Sequence, residues 1–320
     1  MMPLHLGVVM DALLSIKIKS DSTVAMMREA EARGFEIYYF EQQNLFLRDG
    51  IVFGCGRRIK LLKNAVPWYE LSEPNEFPLS DLDIIFMRKD PPFDIRYIYT
   101  TYLLEHAERA GVLVINKPQA LRDANEKLFA LSFPDCCPPS VVTSESKRLK
   151  AFWQEHREIV CKPLDSMGGR NIFRLQPGDH NANVIFDMLT QNETYPIIVQ
   201  KFIPEIAKGD KRILFIHGEP FPHALVRIPE HGEWRGNLSQ GARAVTQPLT
   251  DRDRWICDQV GPVLRERGLF FVGIDVIGEY LTEINVTSPT GICELDALCQ
   301  TNISGILFDA LSSLRGRAGI

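Results

Sequence analysis

Apolar and polar positions alternate along this chain with two different periods, and the places where the period changes mark its elements. Leu6-Gly7-Val8-Val9-Met10 is an unbroken apolar run, the pattern of a strand covered on both faces. Asp21-Ser22-Thr23 then offers N-capping oxygens to a helix that reads to Arg33 and stops at Gly34. Residues 36–40 read as a second strand. Leu45-Phe46-Leu47, the Asp49-Gly50 turn and Ile51-Val52-Phe53 read as a hairpin. A strand over 84–87, a helix over 94–110 ending at Gly111, and a strand over 112–115 follow. Such βα alternation predicts an open, largely parallel sheet with both faces covered.

The character changes near Asn116-Lys117-Pro118. A short helix over 125–131 leads into the turn-rich stretch 134–139, which reads as a domain joint. Next come a helix over 147–156, a strand over 159–163, the loop 164–170, a strand over 172–175 and a helix over 182–190. A third region opens with strands over 197–202 and 212–216, a His217-Gly218 turn and a strand over 224–228. It continues through a long polar loop, a helix over 252–267, an apolar hairpin and a closing helix over 303–314. The chain has no internal repeats and no low-complexity tracts.

At 320 residues the length suits roughly two domains of ~150 residues. A hydrophobic content of 45% supports a buried core. The net charge of −5 leaves no electrostatic footprint for nucleic acid, so local basic residues must serve a smaller anion. Seven cysteines, an odd number with no C-x-x-C pair, suit neither a disulfide framework nor a zinc site and fit a reducing compartment. The apolar start is too short for a signal peptide, and no run approaches the ~20 residues that span a bilayer. The expectation is a soluble cytoplasmic protein with no nucleic-acid or membrane partner.

Candidate chemistry concentrates near the C-terminus. Asp275 lies in the run Phe270-Phe271-Val272-Gly273-Ile274-Asp275-Val276-Ile277, Gly278-Glu279 breaks it, and a second strand carries Glu283 and Asn285. Pairing the apolar set Val272, Ile274 and Val276 with Thr282, Ile284 and Val286 requires a connection with an odd number of residues. That register places Asp275, Glu283 and Asn285 on one face, an oxygen set that a hard divalent cation favours. Upstream, the strand ending in Lys162 enters Asp165-Ser166-Met167-Gly168-Gly169, whose glycines let backbone N–H groups turn toward phosphate oxygens. Lys127 would add a second point charge. The loop joins two strands, so it is neither a Rossmann turn nor a P-loop, both of which open a helix. Gln200-Lys201-Phe202-Ile203 reads from the residues alone as a strand leaving for Pro204. Arg212 and Arg227 share a pocket if their strands pair. The loop 229–243, with three glycines, Arg235 and Arg243, reads as a lid that closes on an anion. No HExxH spacing, kinase motif or Ser-His-Asp arrangement is present.

Asn125-Glu126-Lys127, the Lys162 strand with Gly168-Gly169, Asp275 and Glu283-Ile284-Asn285-Val286-Thr287-Ser288-Pro289-Thr290 together resemble the ATP-grasp ligases. Met10-Asp11, Arg88-Lys89-Asp90-Pro91-Pro92-Phe93-Asp94, Asn116-Lys117-Pro118 and Arg235-Gly236-Asn237-Leu238 narrow the likeness to the bacterial glutathione synthetase family, over essentially the whole chain. Ser20, Ala242 and Cys293 depart from that family's pattern. The resemblance implies an α/β ATP-grasp fold. Residues 1–122 would be an N-terminal parallel-sheet domain on the substrate side, 123–200 a small lid subdomain with its joint, and 201–320 a C-terminal α+β catalytic subdomain. It further implies that ATP is a co-substrate, its phosphates held by Lys127, Lys162, Gly168 and Gly169. Gln200, Lys201, Phe202 and Ile203 would hold the adenine, with Asp210 nearby. Mg²⁺, or Mn²⁺ in its place, would sit on Asp275, Glu283 and Asn285. Arg212, Arg227 and Arg235 would be catalytic, contacting the phosphate or acyl intermediate, and Asn285, Val286, Thr287, Ser288, Pro289 and Thr290 would line the substrate site. The reaction implied joins γ-glutamylcysteine and glycine in a homotetrameric enzyme. Other readings are a different ATP-grasp carboxylate–amine ligase and an ATP-binding regulatory protein without turnover.

Overall fold

The computed structural model describes residues 3–63, 65–166, 168–230 and 242–318. Among them the strands form three sheets. In the first, Glu36–Phe40, His5–Val9, Ile84–Met87 and Leu113–Ile115 run parallel in that spatial order. His5–Val9 is therefore flanked by its successor on one side and by a later strand on the other, and the chain reverses direction of travel across the sheet there. The helices Ser22–Ala32 and Ile95–Arg109 begin on aspartates that accept from the first-turn amides, Asp21 from Val24 at 2.8 Å and Asp94 from Tyr97 at 3.0 Å.

The expectation of a largely parallel sheet covers only this half. The strand Ile51–Leu61 continues far past Phe53 and adds an antiparallel extension that pairs Glu36–Phe40, Leu45–Arg48, Tyr69–Leu71 and Asn75–Pro78. Gly54 and Gly56 look like strand breakers in the sequence. They lie in the strand because the Phe40 ring covers them, within 2.5 and 2.4 Å of where a Cβ would stand.

The second sheet is antiparallel, in the order Phe173–Leu175, Ile159–Pro163, Ile197–Lys201, Ser140–Thr143. The helices Ser146–His156 and Ala182–Thr190 close its core around Leu149, Cys161, Leu175 and Phe186. In place of the helix expected over 125–131 there is a short 3₁₀ turn, Phe129–Ser132, and the Asn125 side chain caps the turn by accepting from Lys127 and Leu128 amides. The third sheet runs Arg243–Pro248, His223–Ile228, Asp210–Ile216, Phe271–Ile277, Tyr280–Asn285, with the helix Asp251–Arg267 packed on it.

Asn116 joins the first sheet to the third. Its buried amide donates to the Phe271 and Val286 carbonyls at 2.8 and 2.7 Å and accepts from the Phe271 N–H at 2.8 Å. The sequence places this asparagine at a change of character, and the change is a junction between layers.

Candidate active site

A cleft of about 330 Å³ lies where the three sheets meet. Its acid-bearing wall is the C-terminal hairpin. The turn there has two residues, Gly278 and Glu279, since Ile277 pairs with Tyr280; the expected odd count is not in the turn. A β-bulge supplies it. Pairing passes from Val276 opposite Leu281 to Asp275 opposite Glu283, which leaves Thr282 without a partner residue. Leu281 takes the core position expected of Thr282. Thr282 lines the cleft, and its hydroxyl donates to the Asp275 carbonyl at 3.1 Å. Beyond the bulge Gly273 faces Asn285, so Asp275, Glu283 and Asn285 do share the cleft face.

Two buried arginines converge on the same spot because Asp210–Ile216 lies between its two neighbours. The register sets Arg212 opposite Asp275 and Asp210 opposite Arg227. Arg212 grips Asp275 with both forks, Nε to Oδ1 at 2.5 Å and Nη2 to Oδ2 at 2.9 Å. A side chain at Gly273 would block that reach, its Cβ standing 2.7 Å from Arg212 Cδ. Arg227 bridges Asp210 and Asp275, at 3.1 Å from the latter. Burial opposes ionisation of Asp275, but the Arg212 and Arg227 charges overcome it and hold its carboxyl well below the usual range. Burial pushes Asp210 up to about 6 against the pull of Arg227, and the Asp275 charge adds to the push. Among the described residues, Asp210 Oδ1 and Arg227 Nε are buried without a hydrogen-bond partner. Such orphaned atoms mark a site built for something more than the side chains present.

Facing them are two lysines. Lys127, 4% exposed, donates to the Ser166 carbonyl at 2.6 Å and lies 3.2 Å from Glu283 Oε1. Lys162 donates to Gln200 Oε1 at 2.8 Å; burial lowers its proton affinity, with the Glu283 charge opposing. The loop from the Ile159–Pro163 strand to the Phe173–Leu175 strand reaches the cleft through Gly168 and Gly169, both at positive φ (65° and 74°), where a side chain would strain the backbone. The floor is apolar. Val160, Phe202 and Ile206 pack with Ile172 and Ile277, and Ile203 lines the cleft beside them. The Arg174 guanidinium lies 3.8 Å from the Phe202 ring centre. A flat heterocycle against this floor would direct attached phosphates toward the lysines.

Of the residues singled out from sequence, Lys201, Thr287, Ser288, Pro289 and Thr290 also line the cleft. Val286 does not: strand alternation buries its side chain in the core, and only its N–H faces this way. Gln200 presents its side chain to Lys162 and Ser140. Arg235, Met167 and most of the proposed lid loop lie outside the described residues. Sequence reasoning assigned no role to Glu126. One of its carboxylate oxygens accepts from the Val286 and Thr287 amides and the Thr287 hydroxyl, at 3.0, 3.2 and 2.9 Å. It ties the Lys127 segment to the loop after Asn285, and only its place beside Lys127 hinted at this.

A hard cation fits part of this donor set. Glu283 keeps one oxygen beyond its Lys127 contact, and Asn285 donates its NH₂ to Asp275 Oδ2 at 3.2 Å, which leaves its carbonyl oxygen for a ligand. Asp275 is already committed to two arginines. No group of three or more His, Cys, Asp or Glu suited to a metal occurs among the described residues.

The sequence matches two family profiles, "Prokaryotic glutathione synthetase, N-terminal domain" over residues 4–122 and "Prokaryotic glutathione synthetase, ATP-grasp domain" over residues 126–300. Glutathione synthetase of Pseudomonas aeruginosa is 54% identical over 312 residues, 98% of each chain. That of Coxiella burnetii is 50% identical over 304 residues, 95% of each chain. In fold the chain is similar to the D-cycloserine synthetase DcsG, with a TM-score of 0.68 at 14% identity over 97% of this chain and 99% of that one. No described helix is long and apolar enough to cross a membrane. A cleft that sets buried lysines and arginines against oxygen ligands over an apolar floor, in a chain matched along nearly its whole length, identifies the protein as a member of the prokaryotic glutathione synthetase family of ATP-grasp ligases.

Proposed function

We propose that this cleft joins γ-glutamylcysteine to glycine by phosphorylating the cysteinyl carboxylate with ATP, which releases ADP, and passing the acyl group to the glycine amine as phosphate leaves. The chain is an ATP-dependent ligase by family, and the assignment of its residues is our reading. A carboxylate is a poor electrophile, and phosphoryl transfer to it calls for charge neutralisation and alignment more than for a covalent nucleophile. The apolar floor formed by Val160, Phe202, Ile203 and Ile206 receives the adenine. Lys127 and Lys162 hold the phosphates, with amides of the Gly168-Gly169 loop. Glu283 and Asn285 hold Mg²⁺, or Mn²⁺ in its place, which when bound would neutralise phosphate charge. Asp275 keeps Arg212 and Arg227 extended into the cleft, where their guanidiniums stabilise charge on the acyl phosphate and on the tetrahedral adduct. Arg235 is assigned the same duty. Thr287 to Thr290, anchored through Glu126, line the dipeptide's side of the cleft.

The observation that carries this reading is the convergence of Lys127, Lys162, Arg212 and Arg227 on the Glu283–Asn285 edge. ADP release tests it: turnover should require γ-glutamylcysteine, Mg²⁺ and glycine together, and other amino-acid acceptors should be poor. Equal rates with D-alanine or glutamate as acceptor would overturn the substrate assignment. We also propose a homotetramer in the cytoplasm. The seven free cysteines, Cys136 and Cys137 adjacent among them, suit a reducing compartment.

A further inference from the structure

Five carboxylates line the cleft: Asp90, Glu126, Asp210, Asp275 and Glu283. Asp210, Asp275 and Glu283 are each ion-paired, and Glu126 accepts three hydrogen bonds from Val286 and Thr287. Asp90 differs. Among the described residues its carboxylate has no ion pair, and its polar neighbour is the Ser288 hydroxyl.

Its position is fixed by other groups. Asp90 follows the parallel strand Ile84–Met87, and Asp11 follows the adjacent strand His5–Val9. These are the carboxyl ends of the two strands where the sheet order reverses, the place where open parallel sheets bind small molecules. Asp11 Oδ2 accepts the Asp90 N–H at 2.9 Å, while Lys89 bridges Asp11 Oδ1 at 2.7 Å and the Asp90 carbonyl at 2.8 Å. The nearby lysine is thus spent on Asp11 and on backbone. The Asp90 backbone is clamped, and its side chain is left to the cleft. Burial raises its proton affinity, and the Ser288 hydroxyl and the Arg88 charge oppose that rise without cancelling it.

We infer that Asp90 is the receptor for a primary ammonium group of the substrate, the α-ammonium of the γ-glutamyl moiety. This rests on the reaction proposed above. ATP and the carboxylates of both substrates are anionic, so the ammonium groups are the only cationic features the substrates bring. The glycine amine is the poorer match, because it must attack as the neutral base, and a buried carboxylate partner would keep it protonated. The γ-glutamyl ammonium takes no part in the chemistry and gains from a permanent ion pair. Asp90 would then set specificity for a γ-linked glutamyl group over a plain acyl chain.

The test pairs Asp90→Asn with a substrate that lacks the group, glutarylcysteine, in which hydrogen replaces the α-amino group. Parent protein with γ-glutamylcysteine, glycine and ATP is the control for the ligase reading itself. If that control is inactive, the proposed function fails and Asp90 is not at issue. With the control active, Asp90→Asn should lower kcat/KM for γ-glutamylcysteine about 100-fold, mostly through KM, as expected when one partner of a buried charge pair is removed. Its kcat/KM for glutarylcysteine should stay within about 3-fold of the parent's, and its ATP affinity should be unchanged, which also shows that the variant is folded. Three outcomes would overturn the inference: an unchanged KM for the dipeptide, an equal loss with both dipeptides, or a loss that falls on the KM for glycine.

Discussion

Replacing Lys162 by methionine separates what this side chain does for binding from what it does for folding. The stem leaves the end of the Ile159–Pro163 strand, and methionine is close to it in volume, so packing is nearly conserved. Under the proposed function, the substitution removes one of the two ammonium groups assigned to the nucleotide phosphates. A hydrogen bond to a charged group contributes about 1.5–3 kcal/mol, so ATP should bind roughly 10- to 150-fold more weakly. Stability should move the other way. Burial holds the folded-state lysine below its ordinary value of 10.5, with Glu283 opposing and Lys127 adding to the depression. Between the depressed value and 10.5 the unfolded chain binds more protons than the folded one, so this group makes stability rise with pH across that interval. Below the interval, the charged lysine weighs against the folded protein. Nucleotide-free Lys162→Met should therefore melt no lower than the parent at pH 7, and the difference between the two should shrink as pH rises toward 10.5. Calorimetric titration with ATP and scanning calorimetry measure the two effects. Unchanged ATP affinity in a variant with the parent's melting curve would refute the phosphate role. A markedly lower melting temperature at pH 7 would refute the electrostatic argument.

Asn116→Ala leaves three buried backbone groups of Phe271 and Val286 without partners; urea unfolding should show a loss of about 3–5 kcal/mol, and a loss under about 1 would mean that water replaces the amide. Asp210, raised to about 6 from 3.8, makes the folded state bind more protons between those values, so its contribution is full below about pH 4 and is lost as pH rises through 6. In the nucleotide-free protein, stability at pH 4.5 relative to pH 6.5 should be higher in the parent than in Asp210→Asn, and identical pH profiles would contradict the assignment. Under the proposed function, replacing the loop 229–243 with a Gly-Ser linker should abolish efficient ligation and raise ADP released per glutathione well above one, since water would then compete for the acyl phosphate. A slow variant that keeps a one-to-one ratio would show that the segment only positions substrate.

Local signals in the sequence carried a long way here. Strand Glu36–Phe40 and strand Ile84–Met87 are apolar runs bounded by polar residues, and helix Ala182–Thr190 has an apolar stripe, so each is legible from its own residues. The side chains at the hairpin face follow from period-two alternation, and strand pairing makes Asp275 and Glu283 neighbours as expected. What the sequence could not reveal depends on contacts between distant segments. The bulge at Thr282 moves the odd residue out of the turn, and Gly54 and Gly56 extend a strand because the Phe40 ring lies over them. Val286 shows the same limit within a motif, since alternation turns its side chain into the core although its neighbours line the cleft. Arg212 and Arg227 could be named as basic residues near strands, but their shared grip on Asp275 exists only because one strand lies between two others. Asp90 and Glu126 acquire their settings across more than 150 residues of sequence, Asp90 opposite Ser288 and Glu126 bonded to Thr287. Local periodicity determines elements and the faces they present. The charge pairing and desolvation that set one carboxylate of the cleft apart from another come from the packing of three sheets around it.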